Sequence, residues 1–259
     1  MTQPQPYGTV LLKAEKILSF LASKSEPQPL HVIAKETEMT NSTVSKILST
    51  LELIGYIHRN DKTKTYQLGS GLVKYANQYL KDLSISKIAY PYLKDLHRLL
   101  DETVHLSIRE GNEMLYLNKL ESTQPIVVTT SRIGFTKPMY ASAMGKAVLA
   151  ECPTAELDDY FSTVRMTAFT PNTLVDRDDL EKEFQFVQEH GYAFDNSEEQ
   201  IEVFCIGASL SVDGKNYGAF SVSMPTYRRT PELEEKVISA ILETKRNIIQ
   251  ELKQVYHYL

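Results

Sequence analysis

The sequence predicts an α+β protein in two parts: a small helical domain closed by a β-hairpin, then a larger domain with an antiparallel sheet covered by helices. Three observations predict this. Apolar residues keep helical spacing over most of the first 54 positions, then give way to two short alternating runs around a charged turn. From position 103 strand-like runs come in two groups, with helical segments between and after them. Charge divides the same way: residues 1–75 hold 9 Lys+Arg against 6 Asp+Glu, and the remainder 19 against 27, within a total of −5. A net +3 on the first part and −8 on the second places any polyanion partner at the N-terminal part. The expected divisions are 1–70, a linker helix over 71–83, and a second domain over 84–259.

The elements are justified in order. Val10, Ala14, Ile17, Leu18 and Leu21 form one helical stripe, which "SEPQP" breaks with two prolines. Leu30, Ile33 and Ala34 open a short second helix. "TEMT" connects it tightly to a third, with Thr40 as N-cap, Val44, Ile47, Leu48 and Leu51 on the buried face, and Gly55 as left-handed stop. "YIHRN" and "KTYQLG" are strands on either side of the turn "DKTK". In "GLVKYANQYLKDL", Leu72, Ala76, Tyr79, Leu80 and Leu83 recur helically; this is the linker helix. "SKIAYPYLKDLHRLLDE" is the next helix, with Pro91 in its first turns or at a kink.

In the second domain "TVHLSIRE" and "EMLYLNKLE" read as strands joined at "GN", and "IVVTTS" as a third. "YASAMGKAVLAE", "TAELDDYFS" and "DRDDLEKEFQFVQEHG" are helices. The strands "YAFDNSE", "VFCIGASLSV" and "NYGAFSVSM" follow. The last helix starts at "TPELEE", with Thr230 as N-cap, Pro231 at its first position and acids in its first turn. Leu233, Val237, Ile241, Ile248, Leu252 and Val255 line one face of it.

Three helices, a tight turn before the third, and a hairpin describe a winged helix-turn-helix. In that motif the helix after the turn enters the major groove of DNA. The pattern explains the third helix: one face packs, and the other offers only Asn41, Ser42, Thr43, Ser45, Lys46 and Ser49. Those side chains are short or cationic and can reach base edges and phosphates. Thr40 lies at the helix start, and Arg59, Lys62 and Lys64 on the wing suit backbone phosphates. A merely solvated face and a protein-docking winged helix are the competing readings. The positive N-terminal part favours DNA over both.

"MTNSTVSKILSTLELIGYI" is similar to the recognition-helix segment of the IclR family of bacterial transcription regulators. "GFTKPMYASAMGKAVLAE" resembles that family's signature, and "GYAFDNSEEQIEVFCIGASLSVDGKNYGAFSVSMP" its C-terminal segment, so the resemblance runs over almost the whole chain in order. It implies a dimeric or tetrameric repressor or activator with a GAF-like effector-binding domain. Carried over residue by residue, the effector pocket is lined by Met139, Ala143, Met144, Asp195, Cys205, Ser221 and Ser223. Tyr140 stands where many members have His.

Within that implied pocket, Ser221 and Ser223 share one face of a strand and can hold oxygens of one ligand. A helix starting near Ala141 presents free amides to an anion, and Met139, Met144 and Cys205 give an adaptable apolar wall. Asp195 accepts from a ligand hydroxyl, or donates if its pKa is raised. A hydroxylated carboxylate, such as a keto acid or sugar acid, fits these features; an aromatic acid is the alternative.

Other chemistries are set aside on spacing. Gly145-Lys146 is no phosphate loop, because Tyr140 and Ala147 occupy the required Gly and Ser/Thr positions. "GASLS" lacks the second Gly of a nucleophile elbow. The histidines show no zinc spacing, and Asp195, Glu198 and Glu199 read as a loop, not a hard-cation site. Lys146 is expected to snorkel or pair locally. No catalytic residue, metal or cofactor is therefore expected, and an enzyme using the pocket is the weaker alternative. Cys152 and Cys205 lie apart, as free thiols of a reducing compartment do. "MTQPQPYGTV" is no signal peptide and no apolar run would span a bilayer, so the expectation is a cytoplasmic homodimer or homotetramer on palindromic double-stranded operator DNA, with a small-molecule effector.

Overall fold

Thr40 begins the element on which the N-terminal part depends. Its hydroxyl accepts the Thr43 amide at 3.2 Å, satisfying one of the orphan donors of helix α3 (Asn41–Leu53). Val44, Ile47, Leu48 and Leu51 bury against α1 (Thr9–Ala22) and α2 (Leu30–Glu36), with Ile17, Leu21 and Ile33 from those helices. Each such side chain contributes roughly 1.5–3 kcal/mol by leaving water. Gly55 follows α3 at φ +77°, a backbone that β-carbons disfavour. The wing is β2 (Ile57–Asn60) paired antiparallel with β3 (Thr65–Leu68), and β1 (Gln28–Pro29) adds a third strand that the sequence pattern does not reveal.

The computed structural model describes residues 7–82, 84–124 and 131–256. They divide into two units, 1–82 and 83–259. At the start of α1 the expected stripe fails: Val10 is exposed, and burial begins with Ile17. The linker sequence forms a 3-10 turn (Ser70–Leu72) and then α4 (Val73–Asp82). Of its expected stripe, Leu72 is half-buried while Ala76 and Tyr79 are exposed; Leu83 and the Leu80 side chain lie outside the description. Tyr75 meets Tyr56 edge-on at 5.8 Å.

The second unit is built on one six-stranded antiparallel sheet. Its strands are β4 (Thr103–Glu110), β5 (Glu113–Leu120), β6 (Thr136–Pro138), β7 (Ala193–Asn196), β8 (Val203–Val212) and β9 (Lys215–Pro225), in the order β6-β5-β4-β9-β8-β7. The period-2 alternation gives the sheet two unlike faces. Phe204, Ile206, Phe220, Val222, Val104 and Leu106 pack on helices α5 (Ser84–Leu100) and α9 (Pro231–Tyr256). Pro91 falls two turns into α5, and Val255 is exposed where the α9 stripe expected it buried.

The other face meets α6 (Ala143–Leu149), which packs with α7 (Thr154–Thr163) and α8 (Arg177–His190). Close approach requires Gly207: a β-carbon there would stand 2.9 Å from the backbone of Ala143 and Met144. The expected strand over 126–131 lies outside the described residues except for Ser131, and β6 was not anticipated. No helix among the described residues is long and apolar enough to cross a membrane.

Candidate nucleic-acid interface and ligand cavity

On α3 the division into faces is as expected. Asn41, Ser42, Ser45 and Lys46 are exposed, as is Thr40 at the cap, and Thr43 is half-buried by its hydroxyl contact with Thr40 at 3.0 Å. At the wing tip the Asn60 carboxamide accepts the amides of Lys62 (3.0 Å) and Thr63 (3.2 Å), and Lys64 takes φ +56°. Lys62 and Lys64 on this turn are exposed. Arg59 differs: it is half-buried, 5.9 Å from the Tyr66 ring centre and 3.7 Å from Asp61. The wing thus offers two free-standing ammonium groups and one guanidinium already engaged.

The C-terminal unit contains a cavity of about 450 Å³ of non-atom space, its mouth included, between the sheet and the start of α6. Strand register explains its floor. Asp195 on β7 sits opposite Cys205 on β8, which sits opposite Ser223 on β9; one step along, Ser221 pairs with His105 on β4. Asp195 is therefore one strand removed from the Ser-x-Ser strand, with Cys205 between. Ala143 and Met144 from α6 close the opposite wall.

Of the seven expected lining residues, six meet here. Met139 does not: it is fully buried in the helix-covered core, its backbone pressed against Gly145, where a β-carbon would come within 2.2 Å. The Met139 side chain is committed to that core and does not reach the cavity. Tyr140 also turns away, its hydroxyl donating to the Thr167 carbonyl at 2.9 Å and accepting the Thr167 amide at 3.0 Å. The helix starts at Ala143, not near Ala141. Ser142 caps it, its hydroxyl accepting the Gly145 amide at 3.1 Å, so that donor is not available to a ligand.

Sequence reasoning missed His105, Tyr116, Lys137 and Glu199, which also line the cavity. Alternation along "TVHLSIRE" places His105 on the inner face and was the available signal. Lys137 and Glu199 are brought together by a short β6 and a turn after β7, for which no local signal exists; they form an ion pair.

Burial governs the electrostatics. His105 has its Nε2 2.6 Å from the Ser131 hydroxyl and its Nδ1 3.4 Å from that of Ser223. Burial, with Lys119 and Lys137 nearby, pulls its pKa down to about 3, so the ring is neutral. Asp195 accepts the Glu198 amide at 2.7 Å, yet burial outweighs that bond and raises its pKa to about 7. The Cys205 thiol, 3.0 Å from the Ser223 hydroxyl, is pushed well above the ordinary range by burial and the Asp195 charge. Such a thiol is a poor nucleophile. Lys146 corrects the expectation of a local pairing: it is 1% exposed and pairs with buried Glu198 and, at 3.4 Å, with Glu183 of α8.

Neutral donors, a neutral imidazole and one paired ammonium are groups able to hydrogen-bond a small polar molecule. Among the described residues no group of three or more His, Cys, Asp or Glu is placed to hold a metal ion.

Comparison with known proteins bears on both units. Residues 10–61 match the model of the IclR helix-turn-helix domain, and residues 77–250 that of the bacterial transcriptional regulator IclR C-terminal domain. The chain is 31% identical over 217 residues to the HTH-type transcriptional regulator XynR of Escherichia coli (strain K12), covering 83% of this chain and 86% of that protein. It is 27% identical over 233 residues to the HTH-type transcriptional repressor AllR of the same organism, covering 90% and 86%. The crystal structure of the Thermotoga maritima IclR superposes with a TM-score of 0.78 at 31% identity, covering 95% and 99%. An IclR homolog from Microbacterium hydrocarbonoxydans, solved with 4-hydroxybenzoate, superposes at 0.79 with 19% identity over 95% and 99%, a likeness of fold.

Proposed function

The chain belongs to the IclR family of bacterial transcriptional regulators, and on that premise we propose that it is a metabolite-responsive repressor whose cavity takes a small hydroxylated carboxylate. Members of this family bind operator DNA and effectors. In this reading Asn41, Ser42, Thr43 and Ser45 approach base edges. Thr40, Lys46, Lys62, Lys64 and the more constrained Arg59 hold phosphates. Two copies read a palindromic operator, because one recognition helix spans too few base pairs for useful specificity.

One observation carries the effector assignment: the polar row Asp195, Cys205, Ser223 with Ser221 and His105 on the floor of an otherwise buried cavity. His105, Ser223 and Cys205 bond one another or Ser131, so a ligand that enters must offer oxygens able to take over those buried bonds. A ligand rich in oxygen, with a hydroxyl as well as an acid group, can engage several of them at once. A carboxyl as easily protonated as Asp195 can donate to such a ligand instead of repelling it.

Calorimetry of the full chain against keto acids, sugar acids and aromatic acids tests the proposal. A keto or sugar acid should bind most tightly, and Ser223→Ala and Asp195→Ala should each weaken it by more than about twofold. Binding of aromatic acids alone would leave the cavity in place and remove the hydroxy-acid assignment. Unchanged affinity in both variants would remove the ligand from this cavity.

A further inference from the structure

An acid entering this cavity must find a cation, because a buried carboxylate without one costs several kcal/mol in lost hydration. The described wall carries one ammonium, Lys137, and two carboxyls, Asp195 and Glu199. The other basic groups nearby are spent or neutral. Lys119 donates to the Ser131 carbonyl at 3.0 Å and pairs with Glu121 at 2.8 Å. Lys146 is fully buried on Glu198 and Glu183. His105 is held uncharged by burial.

Lys137 itself is already paired, with Glu199. The two come from β6 and from the turn after β7, and both side chains are 18% exposed, so the pair sits within reach of solvent. The Glu199 carboxylate thus occupies the one place where a ligand carboxylate is electrostatically favoured.

We infer that Lys137 is the residue that selects acids in this cavity, and that Glu199 is an intramolecular competitor which a ligand carboxylate must displace from it. The inference rests on the reading of the cavity as an acid-binding site. Displacement exchanges one ion pair for another and frees Glu199 to turn toward water, so no unpaired charge remains inside. The cost of breaking the internal pair lowers apparent affinity for every acid by a common factor, and leaves uncharged ligands unaffected. A wall acid that weakens acid binding through one lysine has a signature that simple charge repulsion lacks: its effect disappears when that lysine is gone.

The test is calorimetry of the full chain with three sets of probes: pyruvate, glycerate and gluconate; acetate and benzoate; and the amides of the same acids. Four proteins are compared, the natural chain, Glu199→Gln, Lys137→Met and the double variant, which avoids leaving either charge buried alone. Glu199→Gln should bind acids more tightly by about threefold or more, and Lys137→Met more weakly by about tenfold. The double variant should match Lys137→Met, and amides should change little in any of them. Acids that bind without tightening in Glu199→Gln, or with tightening that persists in the double variant, would overturn the inference while leaving the acid-binding cavity intact. If only acetate or benzoate binds, with the same dependence on Glu199, the inference stands and the hydroxy-acid assignment fails. If no acid binds any of the four, both fall.

Discussion

Burial at 4% exposure makes ionisation of a carboxyl costly, and Asp195 keeps its proton up to about pH 7. Its pKa in the folded chain is about 7 against 3.8 unfolded, with burial the main cause and the charges of Glu198 and Glu199 adding to it. The sign of the linkage follows. The folded state holds this proton more tightly, so its favourable contribution is complete below the unfolded pKa and is lost as pH rises through about 7. Asp195→Asn keeps an oxygen for the Glu198 amide and removes the titration. The variant should be more stable than the natural chain at pH 8, by an amount on the order of 4 kcal/mol at most, and the gap should nearly close by about pH 4. Urea midpoints of the C-terminal transition at several pH values measure it. A gap independent of pH would mean the carboxyl is not the titrating group. His105 runs the opposite way: depressed to about 3, its contribution is present above the ordinary value of 6.5 and is lost as pH falls. His105→Gln should therefore flatten the acid limb of the same stability curve between about pH 6 and 4.

Helix α6 is short, and its place is fixed by what its neighbours lack. Gly207 lets the sheet approach the first turn of α6, and Gly145 lets the helix lie against the Met139 backbone. Gly207→Ala would set a methyl 2.9 Å from main-chain atoms, which cannot rotate away. It should destabilise the C-terminal unit by roughly 1–3 kcal/mol, as overpacking does. Because the shift moves Ala143 and Met144, ligand affinity should fall as well. Equal Tm and affinity in the variant would show that α6 yields at no cost. The same element marks how far the sequence could be read. Periodicity placed β4 and β8 to the residue and located α3 with its cap, because alternation and capping are local. It started α6 at Tyr140 to Ala141, two to three residues too early, since these side chains are helix-compatible but precede the Ser142 cap. It could not separate Met139 from Met144, which are chemically alike and differ only in which side of the turn they occupy. Lys137 and Glu199 were invisible for a further reason: they pair although β6 and β7 lie at opposite edges of the sheet, which no local pattern specifies.

For the whole molecule the two units differ in charge as well as in fold, and the difference constrains how DNA is held. Most described lysines of the N-terminal unit are exposed, and two of them, Lys62 and Lys64, stand together on the wing turn. Each phosphate neutralised contributes about 0.9 to the slope of log affinity against log salt. Replacing both lysines with Ala should lower the magnitude of that slope by about 1.8 for every copy of the chain bound. A palindromic site read by two copies therefore predicts a fall of about 3.6, whereas one bound copy gives half that. The double substitution should weaken operator and unrelated duplex alike, since phosphates carry no sequence. Substitutions on the other side of the interface should behave differently. Asn41→Ala or Ser45→Ala should change which base pairs are preferred while leaving the salt slope near its original value. The acidic C-terminal unit sharpens the comparison, because a surplus of −8 beyond residue 75 is repelled by DNA at low salt and opposes any contact outside the winged helix. Anisotropy titrations with operator-length and random duplexes, from about 50 to 200 mM salt, distinguish these outcomes. A slope that does not change in the wing variant removes the wing from the interface. A slope that falls by the single-copy amount argues that one chain, not a symmetric pair, reads the site.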